Sequence, residues 1–213
     1  MARARQNRRQ LRRRGPQIGQ RTRFVIFCEG EVTEPVYLKE LARRPRVREV
    51  ATLDVHGMGR EPRQLVEEAQ RVKNLERRQK AGPAQYWCVF DVEAPNQHQR
   101  LHEAVRTAHG SDIGVAVSNP CFELWLLLHY TDRHSWIDND TCRQLRHQAD
   151  SSQGKGLDAP AYMPLLSEAI RRTNQLEVLH ERAERVFPDN NPSSTMNRLI
   201  QAIDPTLTAD KDS

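Results

Sequence analysis

The apolar positions of this chain fall into short runs separated by turn signals. Phe24-Val25-Ile26-Phe27-Cys28 is five apolar residues in a row, and it runs straight into Glu29-Gly30. Such a run, rich in β-formers and stopped by a turn, reads as a buried strand of a parallel sheet. Gly30 permits a sharp turn there. Thr33 suits an N-cap and Pro35 the first turn of a helix over about 33–44. Partial alternation predicts a second strand over 50–56, followed by the loop Gly57-Met58-Gly59. Leu65, Ala69, Val72 and Leu75 recur at helical spacing, so a surface helix over about 62–79 is expected to cover the sheet. Tyr86-Trp87-Cys88-Val89-Phe90 reads as a third strand ending in Asp91-Val92-Glu93, with a helix expected over about 96–109. Residues 113–117 make a fourth strand. Cys121 to Tyr130 is apolar nearly all round and predicts a buried helix.

Strand and helix alternate, which argues for an α/β fold with a parallel sheet and helices on both faces. From Thr131 the pattern changes to helices over 139–148, 161–172, 175–186 and 193–203, with a polar loop at 151–156. The expected division is a basic arm (1–22), an α/β core (23–130), a helical C-terminal region packed on it (131–207) and a frayed tail (208–213).

Charge changes this picture at one end only. The formal net charge is +5, and residues 1–20 hold seven arginines and no acid. Without that segment the chain carries slightly more acids than bases. A segment so dense in like charge is expected to be disordered when free. Arg8, Arg9, Arg12, Arg13 and Arg14 are candidates for neutralising nucleic-acid phosphates. The four cysteines (28, 88, 121, 142) show no CxxC spacing, so no disulfide frame or zinc knuckle is expected. No run approaches the roughly 18 apolar residues of a membrane span. The N-terminus lacks the apolar segment of a secretory signal. A cytoplasmic protein is the expectation.

The chemistry sits at the strand ends. Glu29 follows the first strand, and the D-x-E pair Asp91 and Glu93 follows the third. Residues i and i+2 past a strand end face the same side. If the two strands are neighbours, three carboxylates converge, and like charges that close need a cation. Oxygen ligands favour Mg²⁺, with Mn²⁺ as a substitute. Such an ion supports in-line displacement at phosphate. One carboxylate at a strand end is more simply a cap or a surface ion pair; three at matched ends favour a metal site. Glu31, Glu34 and Glu123 lie near the same rim, and Glu123 ranks above Glu34 because it interrupts an apolar stretch. His56 at a strand end reads as solvated. His98 and His102 stand four apart on the predicted helix, where a solvated face is the simpler reading. Gly57-x-Gly59 is too short for a dinucleotide fingerprint, and Gly154-Lys155-Gly156 lacks the context of a P-loop.

Three stretches carry a resemblance. Cys28-Glu29-Gly30-Glu31-x-Thr33-Glu34, Phe90-Asp91-x-Glu93 and Ser118-Asn119-Pro120-Cys121-Phe122-Glu123-Leu124-Trp125-Leu126 are similar to the RloB family of prokaryotic defence proteins. Asn191-Pro192-Ser193-Ser194-Thr195 and the basic arm resemble it too. The resemblance implies a Toprim-like core, with Glu29 in acid/base chemistry and Asp91 and Glu93 binding Mg²⁺. The second acid is a glutamate here, where the Toprim pattern has aspartate. It further implies a metal-dependent nuclease acting on DNA or RNA in abortive infection, often beside an AAA-type ATPase. The alternative expectation is a non-catalytic nucleic-acid-binding or adaptor subunit.

Overall fold

Side-chain alternation along the first strand decides how the sheet is covered. In the computed structural model the described residues are 21–151 and 156–207. The candidate arm arginines, most of the 151–156 loop and the 208–213 tail lie outside them. Strand β1 (Thr22–Cys28) is central, and it pairs in parallel with β2 (Ala51–Gly57) on one side and β3 (Ala84–Asp91) on the other. Next comes β4 (Gly114–Asn119), parallel to β3, and then β5 (Ser193–Ser194), antiparallel to β4. The sheet order is β2-β1-β3-β4-β5.

Phe24, Ile26 and Cys28 of β1 point to one face, and Val25 and Phe27 to the other; all five are buried. The second face is covered by α3 (Pro62–Arg78) and α4 (Leu101–Gly110), through Leu65, Val66, Ala69, Leu101 and Ala104. The first is covered by α1 (Thr33–Leu41) and α5 (Phe122–Leu127), and by helices from the C-terminal region. The expected two-faced α/β sheet of Toprim-like type is therefore what the chain forms.

Several boundaries differ from the expectation. The first helix stops at Leu41, and Pro45 opens a separate short helix, α2 (Pro45–Val50), at a position where its missing N–H costs nothing. The helix expected from 96 begins only at Leu101. The preceding segment is a loop, held by the His98 N–H donating to the Val92 carbonyl at 3.0 Å. After α6 (Asn139–Ala149) and a single turn, α7 (Ala159–Tyr162), the two helices expected over 161–186 are largely one, α8 (Leu166–Arg182). No Gly or Pro interrupts it, and Thr173 stays helical by returning its hydroxyl to the Ala169 carbonyl at 2.7 Å.

The C-terminal region also does more than lie on the sheet. It supplies β5, and its last described helix, α9 (Met196–Ile203), buries Met196, Leu199, Ile200 and Ile203 in the same cluster as Phe24 and Ile26. The Thr195 N–H donates to the Val117 carbonyl at 2.8 Å, and the Thr195 hydroxyl oxygen accepts from the Val117 N–H at 2.8 Å. Among the described residues no helix is long and apolar enough to cross a membrane.

An aromatic cluster closes the first face. Tyr37 meets Phe122, Trp125, His129 and Tyr162 edge-to-face. His129 is buried at its centre. Its Nδ1–H donates to the Trp125 carbonyl at 2.9 Å, which leaves Nε2 to accept from the Tyr37 hydroxyl at 3.1 Å. Burial pushes the His129 pKa down to about 4.

The folded state therefore holds His129 neutral while the unfolded chain protonates near the usual value of about 6.5. Stability from this site is fully present above that value and is lost as pH falls towards about 4. Relative to a His129→Gln variant, the wild type should lose about 2 kcal/mol of unfolding free energy between pH 7 and pH 5. Urea titrations of both proteins at the two pH values measure the difference. Parallel pH dependences would show that the imidazole is not held neutral.

Candidate active site at the carboxyl ends of the strands

The ladder between β1 and β3 pairs Cys28 with Val89, and the site starts one residue later. The Glu29 N–H still donates to the Val89 carbonyl at 2.9 Å. The Glu29 side chain then extends the ladder, its Oε2 accepting the Asp91 N–H at 2.9 Å. Its Oε1 lies 2.7 Å from His98 Nε2. This pairing with Glu29 raises the His98 pKa, against the opposing effect of burial. His98 is thus no solvated helix residue. It sits on the β3–α4 loop and holds the carboxylate at the end of β1. Pro95 and Asn96 just before it are the sequence signal for a loop. His102 lies elsewhere, edge-on to the Phe187 ring at 5.4 Å.

Asp91 ends β3. The residue is intermediate in exposure, but its Oδ1 atom is buried and has no hydrogen-bond partner. Its pKa is raised well above the usual carboxylate range, first by burial and then by the charges of Glu34, Glu29 and Glu123. The Phe122 backbone N–H, in the first turn of α5, acts in the opposite direction. Glu93 follows with a left-handed backbone (φ 69°) and an N–H bonded to the Pro120 carbonyl at 2.9 Å. Its carboxylate accepts from the side-chain amide of Asn139, whose own oxygen accepts the Ala94 N–H at 3.0 Å. Asn139 therefore latches α6 to the D-x-E loop, and nothing in the local sequence announces this. Burial raises the Glu93 pKa as well.

The remaining acids divide. Glu34 is buried, and its Oε1 accepts the Gly30 N–H at 3.0 Å. A Cβ on Gly30 would stand 2.2 Å from Glu34 Oε2, so the glycine is needed for this approach. Burial is the main cause of a raised Glu34 pKa, with Glu123 and Glu29 adding to it. Glu34 thus belongs to the charge cluster as fully as Glu123, which acts on Asp91, Glu34 and Glu93 alike. Glu31 turns aside into a seat made by the Gly57-x-Gly59 pair. A Cβ at Gly57 would meet the Glu31 backbone at 2.8 Å, and one at Gly59, where φ is +59°, would meet its carboxylate at 2.6 Å. His56 pairs with Asp54 at 3.1 Å and stacks on Phe27.

The structure thus brings Glu29, Asp91, Glu93 and Glu123 to one rim. Among the described residues, no three His, Cys, Asp or Glu side chains are placed closely enough to hold a metal ion as they stand. The donor chemistry nevertheless suits an oxygen-seeking cation. Asp91 Oδ1 is an unsatisfied buried acceptor in a field of carboxylates, and a cation is what such an atom lacks. Asp91 would hold the ion, joined by Glu29 and Glu93 once they exchange His98 and Asn139 for it.

A carboxyl group whose folded-state pKa is raised is a burden above that value and relieves it as pH falls towards the unfolded value of about 3.9. Asp91→Asn removes the burden and keeps the shape. The variant should melt higher than wild type at pH 8 without added metal, by about 2–4 °C for each kcal/mol gained, and the gap should narrow as pH is lowered towards 5. A variant that melts below wild type at pH 8 would show that Asp91 is not strained by its neighbours.

A family model described as RloB-like protein matches residues 24–203. No curated protein and no solved structure matches the chain. The matched span runs from β1 to the end of α9 and takes in every acid of the rim, and the chain belongs to the RloB-like protein family.

Proposed function

We propose that the protein is a metal-dependent nuclease that hydrolyses phosphodiester bonds in DNA or RNA, with a role in prokaryotic antiviral defence through abortive infection. One observation supports this reading above the others: the buried, unpartnered Oδ1 of Asp91 amid Glu29, Glu34 and Glu123. A fold gains nothing in stability from that arrangement, and perturbed carboxylates gathered at strand ends are what a charge-handling site requires. Mg²⁺ or Mn²⁺ supplies charge neutralisation at the scissile phosphate and a more acidic bound water. The chain's own residues do the rest. Asp91 and Glu93 present oxygens from a fixed loop. Glu29 faces the same space and acts in proton transfer, with His98 holding its other oxygen at 2.7 Å.

A second reading has its own observation. Glu29 already accepts from the Asp91 N–H and lies 2.7 Å from His98 Nε2, and Glu93 accepts from Asn139, so the rim also works as a latch between loops. On that reading the chain is a nucleic-acid-binding or adaptor subunit that works with an AAA-type ATPase.

Purified protein is incubated with single- and double-stranded DNA and RNA, with and without Mn²⁺. Glu29→Gln should lower metal-dependent cleavage by about 10²–10⁴-fold, the usual share of a general acid or base. Millimolar Mn²⁺ should raise the melting temperature of wild type but not of Asp91→Asn, because only a ligand of the native state stabilises it. Binding without cleavage, unchanged in Asp91→Asn, selects the adaptor reading. For the arm, deletion of residues 1–20 should weaken nucleic-acid binding and remove about 0.7–0.9 from the salt slope for each phosphate that the arm no longer neutralises. Unchanged affinity and slope would assign the arm to a protein partner or to solubility.

A further inference from the structure

The folded body has a cation beside the acidic rim that the metal-site reading does not use. Asn139 and Arg143 stand one helical turn apart on α6 and so share a face. Asn139 is pinned to the rim by its bonds to Glu93 and the Ala94 backbone. Between them on the helix, Cys142 is buried against Cys121, which leads into α5. Arg143 is thereby held beside the site, where partial burial opposes its charge and the carboxylates of Glu123, Glu93 and Asp140 outweigh that opposition. It forms no ion pair with either within 4.0 Å. Its one ion-pair partner among the described residues is Asp140, at 3.5 Å, and that carboxylate is 89% exposed. An exposed pair of this kind contributes little and exchanges readily. Arg143 itself is half exposed, so most of its five donors remain free for a ligand.

We infer that Arg143 binds a non-bridging phosphate oxygen of the nucleic-acid substrate at the edge of the carboxylate rim. This deepens the nuclease reading and rests on it for the identity of the substrate. A polyanion approaching Glu29, Asp91, Glu93 and Glu123 is repelled, and a guanidinium at the mouth offsets that repulsion where the backbone must pass. The planar fork of arginine matches two phosphate oxygens at once, which lysine does not. The contact belongs to the described body of the protein and is separate from any contact made by the arm.

The test uses the full chain with Asp91→Asn, so that the probe is not cut. Dissociation constants for fluorescein-labelled 20-nucleotide DNA and RNA, single- and double-stranded, are measured from 50 to 200 mM NaCl. Adding Arg143→Gln should weaken binding about three- to tenfold and lower the slope of log affinity against log salt by about 0.7–0.9, the equivalent of one phosphate. Arg143→Lys should keep the slope and forfeit only part of the affinity. Arg78→Gln, at the far end of α3, should change neither. With Asp91 restored, Arg143→Gln should raise KM for cleavage and leave kcat nearly unchanged, which a packing defect would not do. An unchanged affinity and slope in Arg143→Gln would overturn the inference, as would a parent that binds none of the probes. If Arg143→Gln flattens the slope but the wild type cleaves nothing with Mn²⁺, the phosphate contact stands and the nuclease reading falls.

Discussion

The Asp91 N–H given to the Glu29 carboxylate holds the upper edge of the sheet together. The backbone ladder between β1 and β3 is running out at that height, and a side chain takes over where main chain would otherwise face water. The bond fixes the exit direction of β3, so Asp91 turns beneath the first turn of α5 and Glu93 swings into a left-handed backbone. It engages one Glu29 oxygen and leaves the other for His98. Next to it, the Gly30 N–H binds the Glu34 carboxylate, a proximity that no side chain at position 30 would permit.

Much of this is legible in the sequence because it is encoded locally. Five consecutive apolar residues mark β1, and covering both faces of it requires helices on each side. The acids after β1 and β3 stand where strand ends put them, so their meeting needs only the adjacency of the two strands. What is not legible depends on tertiary packing. β5 is two serines, and it becomes a strand only because Val117 and Thr195 exchange hydrogen bonds. Asn139 and Arg143 reach the rim because α6 packs on α5, and their spacing along α6 says nothing of Glu93. The polar segment around His98 is compatible with a helix, yet the Val92 carbonyl captures its N–H and keeps it a loop. Gly57 and Gly59 are too few to announce a ligand, and the group they make room for is the chain's own Glu31.

The rim is a competition between two kinds of partner. His98 and Asn139 are already in contact with the carboxylates, and a metal ion, on the proposed reading, would have to displace them. The affinity for such an ion would then be a difference between two sets of contacts. Asp91 would favour the ion, since its Oδ1 has no partner to give up.

The position of α9 has a consequence for how the molecule is made. Its four buried side chains complete the layer beneath Phe24 and Ile26, yet they are separated from β1 by nearly the whole described chain. During synthesis β1, β3 and β4 emerge first, with the rim acids attached, and until α8 and α9 follow, the first face of the sheet has mainly α1 and α5 to cover it. Contacts this distant in sequence form late, because a long loop must close before they can stabilise anything. The layer beneath the acidic rim is therefore completed only when α9 has been made, and a nascent chain carries the rim acids before the packing that fixes them is complete.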